Sequence, residues 1–193
     1  MRAWPRCLLL CTALASVPAA ADILDLKVKR EQRRFHVQFE VQIDVPPADV
    51  LRLFHEPERW TGLSRVIHHA GFVDPASGGE ANAGGSGDAR PVSMVVRDCI
   101  LFFCTQAEKV TLFRADAAGR LVTGTSVRGA GDFRYGRERW EIEPSANGTL
   151  LRLRAEMEPD FAVPPFIGPA VLKSLLRKLL REMERNLERS AAP

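Results

Sequence analysis

One long amphipathic helix at the end of the chain constrains the fold most. Val171, Leu172, Leu175, Leu176, Leu179, Leu180, Met183 and Leu187 recur at three-to-four spacing with polar residues between them. The pattern predicts a helix of about five turns over 169–188. Everything before it reads mainly as strand. Phe35, Val37, Phe39, Val41, Ile43 and Val45 alternate with Arg34, His36, Gln38, Glu40, Gln42 and Asp44, which gives one apolar face and one wet face. Pro46-Pro47 stops that strand, and Val50, Leu51 and Phe54 then predict a short helix over 47–55. A second short helix or turn begins at Pro57. Further strands are expected at 65–72, 91–97, 106–115, 120–128, 134–143 and 150–158. Turn signals separate the later ones, at Ala118-Gly119, Gly129–Gly131 and Asn147-Gly148. The Gly-rich stretch 74–89 is expected to be a loop or long hairpin tip. An antiparallel sheet must cover its apolar face, and only the last helix is large enough to do so. The fold class is therefore α+β, a curved antiparallel sheet wrapped around a long C-terminal helix, with room between them for an apolar cavity.

The N-terminus reads as a targeting segment. Arg2 and Arg6 precede an apolar run from Cys7 to Val17, and Ala19-Ala20-Ala21 supplies a cleavage site. The expected organisation is a signal peptide over 1–21, a linker over 22–32, one domain over 33–190 and a tail over 191–193. Export to a bacterial periplasm follows as an expectation. Of the 27 basic residues the signal peptide takes Arg2 and Arg6, leaving 25 against 24 acidic ones. So small an excess argues against a nucleic-acid partner.

Cys99 and Cys104 are the cysteines left in the mature chain. In an oxidising compartment they are expected to pair. A straight strand would hold them about 16 Å apart, so a disulfide requires a hairpin with Ile100, Leu101, Phe102 and Phe103 at its tip. Such a tip either folds inward over the cavity or makes a peripheral contact with a membrane or a partner protein.

No nucleophile elbow, phosphate loop or dinucleotide fingerprint occurs. Asp132, Tyr135 and Glu138 are the candidates for acid–base chemistry, and no other catalytic residue is expected. Alternation puts Tyr135 and Arg139 on one face and Glu138 with Trp140 on the other. Buried charges must pair, so charge pairs across the sheet are the expected use of these groups. His68-His69 cannot readily chelate one ion from adjacent strand positions. Neither a metal nor a cofactor is expected.

Three segments carry a family resemblance: 45–50 with 54–60 (Val-Pro-Pro-Ala-Asp-Val and Phe-His-Glu-Pro-Glu-Arg-Trp), 131–142, and 158–169. Together they resemble the START-like superfamily in its helix-grip fold, also called SRPBCC, with its polyketide cyclase/dehydrase-type and coenzyme Q-binding members. The likeness spans about residues 33–190. It implies a hydrophobic small molecule, of the lipid or quinone class, bound between sheet and helix. Leu172, Leu176, Leu179 and Met183 are the helix residues expected to face it. Tyr135 and Trp140 are expected on the sheet side. Phe161, Phe166 and Ile167 belong to a proline-stiffened loop that would gate the cavity, and Phe102 and Phe103 to the hairpin tip. A cyclase or hydrolase acting in the same cavity, and a docking adaptor working through 100–103, are the alternatives.

Overall fold

The computed structural model describes residues 23–73, 90–100, 103–164 and 168–191. The proposed signal peptide therefore lies outside the described residues, as do the Gly-rich stretch, Leu101, Phe102, Pro165, Phe166 and Ile167.

Eight strands form one antiparallel sheet: β1 (Ile23–Glu31), β2 (Arg34–Ile43), β3 (Ile67–Phe72), β4 (Pro91–Ile100), β5 (Phe103–Ala115), β6 (Leu121–Gly131), β7 (Phe133–Ser145) and β8 (Gly148–Pro159). Their spatial order is β1-β2-β8-β7-β6-β5-β4-β3. Between β2 and β3 lie α1 (Pro47–His55), a 3-10 turn (Pro57–Arg59) and α2 (Trp60–Leu63), and α3 (Gly168–Ala191) closes the chain. The curved sheet with its long C-terminal helix is the helix-grip architecture expected from the sequence.

One expectation needs correcting. Residues 23–31, read as linker, form edge strand β1, paired with β2 from Glu31↔Arg34 to Leu26↔Phe39. Leu26 is buried and Val28 half-buried against the core, while Asp25, Lys27 and Lys29 alternate with them. Charged residues on the wet face are what an edge strand carries to discourage pairing with another chain. That dense charge masked the period of two.

The inner face of the sheet can be followed row by row through the register. Leu26, Phe39, Leu153, Trp140 and Val122 lie side by side, as do Val28, Val37, Ala155, Glu138 and Gly124. Val37, Val41, Ile43, Val122, Ile142 and Leu151 are almost wholly buried there, with Leu180 of α3. Polar contacts pin α3 along its length. Lys178 Nζ donates to Asp98 on β4 at 2.7 Å. Glu182 accepts from Ser64 Oγ at 2.7 Å and from the Arg65 amide at 3.0 Å. Burial raises the Glu182 pKa, but these two donors and the nearby Arg65 and Lys178 charges outweigh it, so the carboxyl titrates below its ordinary value. Asn186 Nδ2 donates to Leu63 O at 2.8 Å. The helix is therefore held both to β4 and to α2.

A smaller apolar cluster, Val110, Val127 and Ala130 with Val73 and Leu112, covers part of the outer face. So β5 buries apolar side chains on both sides.

Candidate functional site

The inner face changes character along its length. Beside α1 it is aromatic: Phe54 makes edge contacts with Trp60, Phe113 and Trp140, at ring-centre distances of 6.4, 5.5 and 5.5 Å. Phe39 meets Trp140 edge-on at 5.6 Å. Further along β5, β6 and β7 the surface turns polar. Lys109 of β5 is ion-paired with Glu138 of β7, the two side chains only 8% and 9% exposed. Glu138 also accepts the indole N–H of Trp140 at 2.9 Å. Ser126 Oγ is buried beside them, without a hydrogen-bond partner among the described residues.

Two glycines make this cluster possible. A methyl group on Gly136 would collide with the Ser126 hydroxyl and touch Lys109 Cε at 3.6 Å. On Gly124 it would press on Thr111 and Phe113, both at 2.9 Å. Without side chains at these positions, Lys109, Ser126 and Phe113 can lie across the neighbouring strands. Burial strips water from the Lys109 ammonium and pulls its pKa from 10.5 to about 7.

Apolar side chains of both layers remain partly open. Met94, which pairs with Lys109, is half-buried, as are Phe113, Trp140 and Met157. On α3, Leu176 is buried, while Leu172, Leu179 and Met183 are half-buried and pack against the same core. An ordinary core would bury such side chains fully. Here a polar pair shares the inner face with apolar side chains that are incompletely buried.

The sequence-based candidates divide as follows. Trp140, Leu172, Leu176, Leu179, Met183 and Glu138 come together on the inner face or over it. Tyr135 does not. A bulge between Phe133 and Tyr135 precedes the regular pairing Gly136↔Met157, and Tyr135 sits on the outer face. There Arg34 stacks on its ring at 4.3 Å and its hydroxyl reaches Glu156 at 3.4 Å. Tyr135 thus lines an outer groove of about 410 Å³ with His36, Gln38, Arg137, Arg139 and Arg154. The parity of the strand, with Tyr135 and Arg139 opposite Glu138 and Trp140, is as alternation required. Asp132 is also removed from the site. It is exposed at the β6–β7 turn, where its carboxylate accepts the Glu108 amide at 2.7 Å. Phe161 is 39% exposed and meets Phe133 edge-on at 6.3 Å. Phe103 opens β5 opposite Ile100, and Phe102, Phe166 and Ile167 lie outside the described residues.

Cys99 and Cys104 face each other across β4 and β5 and are joined in a disulfide, with Cα atoms 3.9 Å apart. The hairpin that this bond required is present. Gly168 has no room for a side chain: an added Cβ would lie 2.6 Å from Val163 and 3.2 Å from Phe35. Lys109 was not singled out from sequence. Val110 and Leu112 look like the inward residues of β5, and only the second apolar cluster on the outer face explains why they are not.

A family model described as polyketide cyclase/dehydrase and lipid transport matches residues 34–192. Among curated proteins, none matches the chain. Solved structures share the fold at low identity. The Zhui aromatase/cyclase from Streptomyces sp. R1128 is 13% identical, covering 82% of this chain and 97% of its own, with a TM-score of 0.58. The STAR-related lipid transfer protein from Xanthomonas axonopodis is 9% identical, with 84% and 98% covered and a TM-score of 0.56. A START superfamily protein from Mycobacterium smegmatis is 17% identical, with 79% and 94% covered and a TM-score of 0.53.

Proposed function

From the chain's membership of the polyketide cyclase/dehydrase and lipid transport family, which it matches over residues 34–192, we propose that it binds a lipid- or quinone-class molecule between sheet and α3. Such a family implies a hydrophobic small-molecule ligand. The observation that carries the reading is the incompletely buried apolar surface of Met94, Phe113, Trp140 and Met157 on the sheet and of Leu172, Leu179 and Met183 on α3, with a buried polar pair on the same sheet face. Binding would work by burial. Each Å² of apolar ligand surface removed from water contributes about 25 cal/mol. Polar groups in an apolar pocket then orient the ligand's head. The outer groove suits this role less well, because its Arg137, Arg139 and Arg154 edges are charged and open.

The protein is proposed to act after export, with 1–21 removed. The Cys99–Cys104 disulfide supports an oxidising compartment such as a periplasm. A peripheral membrane contact through the β4–β5 tip, whose sequence is Ile100-Leu101-Phe102-Phe103, belongs to the same proposal. A second reading, a cyclase or hydrolase, draws on Glu138, the one acid–base candidate that reaches the inner face, and on its partner Lys109.

Native mass spectrometry of the exported protein, followed by solvent extraction, tests the first reading. A discrete adduct that passes into organic solvent is expected, on a chain whose mass begins after Ala21. A folded protein with a clean apo mass that binds no added apolar probe would overturn it.

A further inference from the structure

Resting on that reading, we propose that Lys109 and Ser126 form a head-group subsite for a neutral hydrogen-bond acceptor, the carbonyl oxygen of a ketone, quinone or ester. The polar inventory of the inner face leads there. A lysine ammonium carries three N–H donors. Among the described residues Glu138 is the sole partner of Lys109. The two oxygens of Glu138 are both engaged, Oε1 by Lys109 and Oε2 by the Trp140 indole. Ser126 Oγ, on the same strip of sheet over Gly136, is buried and unpartnered. What remains unsatisfied is thus hydrogen-bond donors, two N–H and one O–H, on an apolar surface. Leaving such groups dry is costly, and a ligand oxygen would repair it.

Charge then selects among oxygens. With Lys109 protonated, as it is below about pH 7, the Lys109–Glu138 pair is neutral as a unit. A carbonyl leaves it neutral, whereas a fatty-acid carboxylate would add an uncompensated negative charge beside Glu138 in a region stripped of water. The apolar tail would lie toward Met157, Leu172, Leu179 and Met183. Selectivity should therefore run ketone over acid and over alkane at equal chain length.

The test uses the full chain expressed, exported and purified. Methyl undecyl ketone, sodium tridecanoate and tridecane compete against the fluorescent apolar probe N-phenylnaphthylamine. Infrared spectroscopy of the isotope-labelled ketone carbonyl reports its hydrogen bonding directly. The ketone should displace the probe at about tenfold lower concentration than either competitor, as expected for a hydrogen bond to a charged donor. Its carbonyl stretch should fall on binding. Ser126→Ala removes a group with no present partner, so the protein should fold unchanged while ketone binding weakens several-fold. Lys109→Met with Glu138→Gln should weaken ketone binding further and reduce the infrared shift, and adding Ser126→Ala should bring the ketone to the level of the alkane.

Equal displacement by ketone and alkane on wild-type protein would overturn the subsite and leave hydrophobic binding standing. Tightest binding by the carboxylate would overturn it in favour of an anion site. A ketone preference that survives the three substitutions together would overturn the assignment to these residues. Failure of the folded protein to take up the probe, the ketone or the alkane would overturn the hydrophobic-binding reading itself, and the subsite with it.

Discussion

Changing Glu138 to Gln preserves the shape of the inner face but removes the charge opposite a buried lysine. Below about pH 7, where Lys109 holds its proton, breaking a buried ion pair from one side costs about 3–5 kcal/mol, because the other charge stays behind without compensation; at higher pH the lysine can release its proton and the cost falls. Whole-domain stability is of the order of 5–15 kcal/mol, so the loss should be conspicuous. Adding Lys109→Met removes the stranded charge, and most of the loss should be recovered. The pH dependence gives a second handle. Burial pulls Lys109 from 10.5 in the unfolded chain to about 7 in the folded protein. Below about pH 7 both states hold the proton and the penalty is complete. Between about 7 and 10.5 the unfolded chain keeps the proton that the folded protein has released, so unfolding takes one up. Stability must therefore rise with pH across that window, by at most about 1.4 kcal/mol per pH unit. From about pH 7 to about pH 9 the wild-type protein should gain up to about 3 kcal/mol that the double variant does not. Urea midpoints for wild type, Glu138→Gln and the double variant at three pH values in that range measure all of this. If the double variant is no more stable than Glu138→Gln, or if its pH slope parallels the wild-type slope, the reasoning about the pair is refuted.

Three other outcomes follow from the packing. Leu180→Ala should cost about 2–5 kcal/mol in denaturant unfolding, because a side chain only 1% exposed leaves a cavity under α3. Gly148→Ala should destabilise by more than about 1 kcal/mol in the same assay, since its φ of +132° is strained for alanine and the methyl would press on Val45 N at 2.8 Å. Reducing Cys99–Cys104 should lower stability by about 2 kcal/mol, the chain-entropy value for so short a loop, and the melting temperature with and without reductant checks it, the Cys99→Ser, Cys104→Ser variant showing no change on adding reductant.

Where the sequence was legible, a single environment governed each face of an element. β2 alternates cleanly because its outer residues meet water and its inner ones the core, and α1 begins and ends at the expected residues. The helix α3 runs over Gly168–Ala191, slightly beyond the stripe that announced it. Where two environments compete, the pattern blurs. In β5, Val110 and Leu112 pack outward with Val127 and Ala130, so Lys109 occupies a position that reads as solvent-facing. Glu138 could be placed on the correct face from its parity with Trp140, yet its partner lies two strands away and no spacing in the chain announces it. Tyr135 has the parity that alternation gives it, and it lies outside the expected cavity because the inner face is the Trp140 face. Strand β1 escaped notice because Lys27, Lys29 and Glu31 outweigh Leu26 and Val28 in a short segment.

The sheet order also governs how the chain can fold in time. β2 is flanked by β1 and β8, so only one of its edges can be satisfied early. Its other seam joins residues far apart: Arg152 Nε donates to Glu40 at 2.8 Å across 112 residues of sequence. Closing a loop of that size carries a large entropic cost before any contact compensates for it. The hairpins from β3 to β8 can form locally, each with its neighbour, but the β1–β2 ribbon must wait for β8. Until the last strand is available, the inner edge of β2 stays unpaired and Phe35, Val37 and Phe39 have no β8 partner to lie beside. Folding rate should therefore be set by capture of this N-terminal ribbon. Substitutions at the β2–β8 seam would slow folding, while those confined to α3 would mainly speed unfolding.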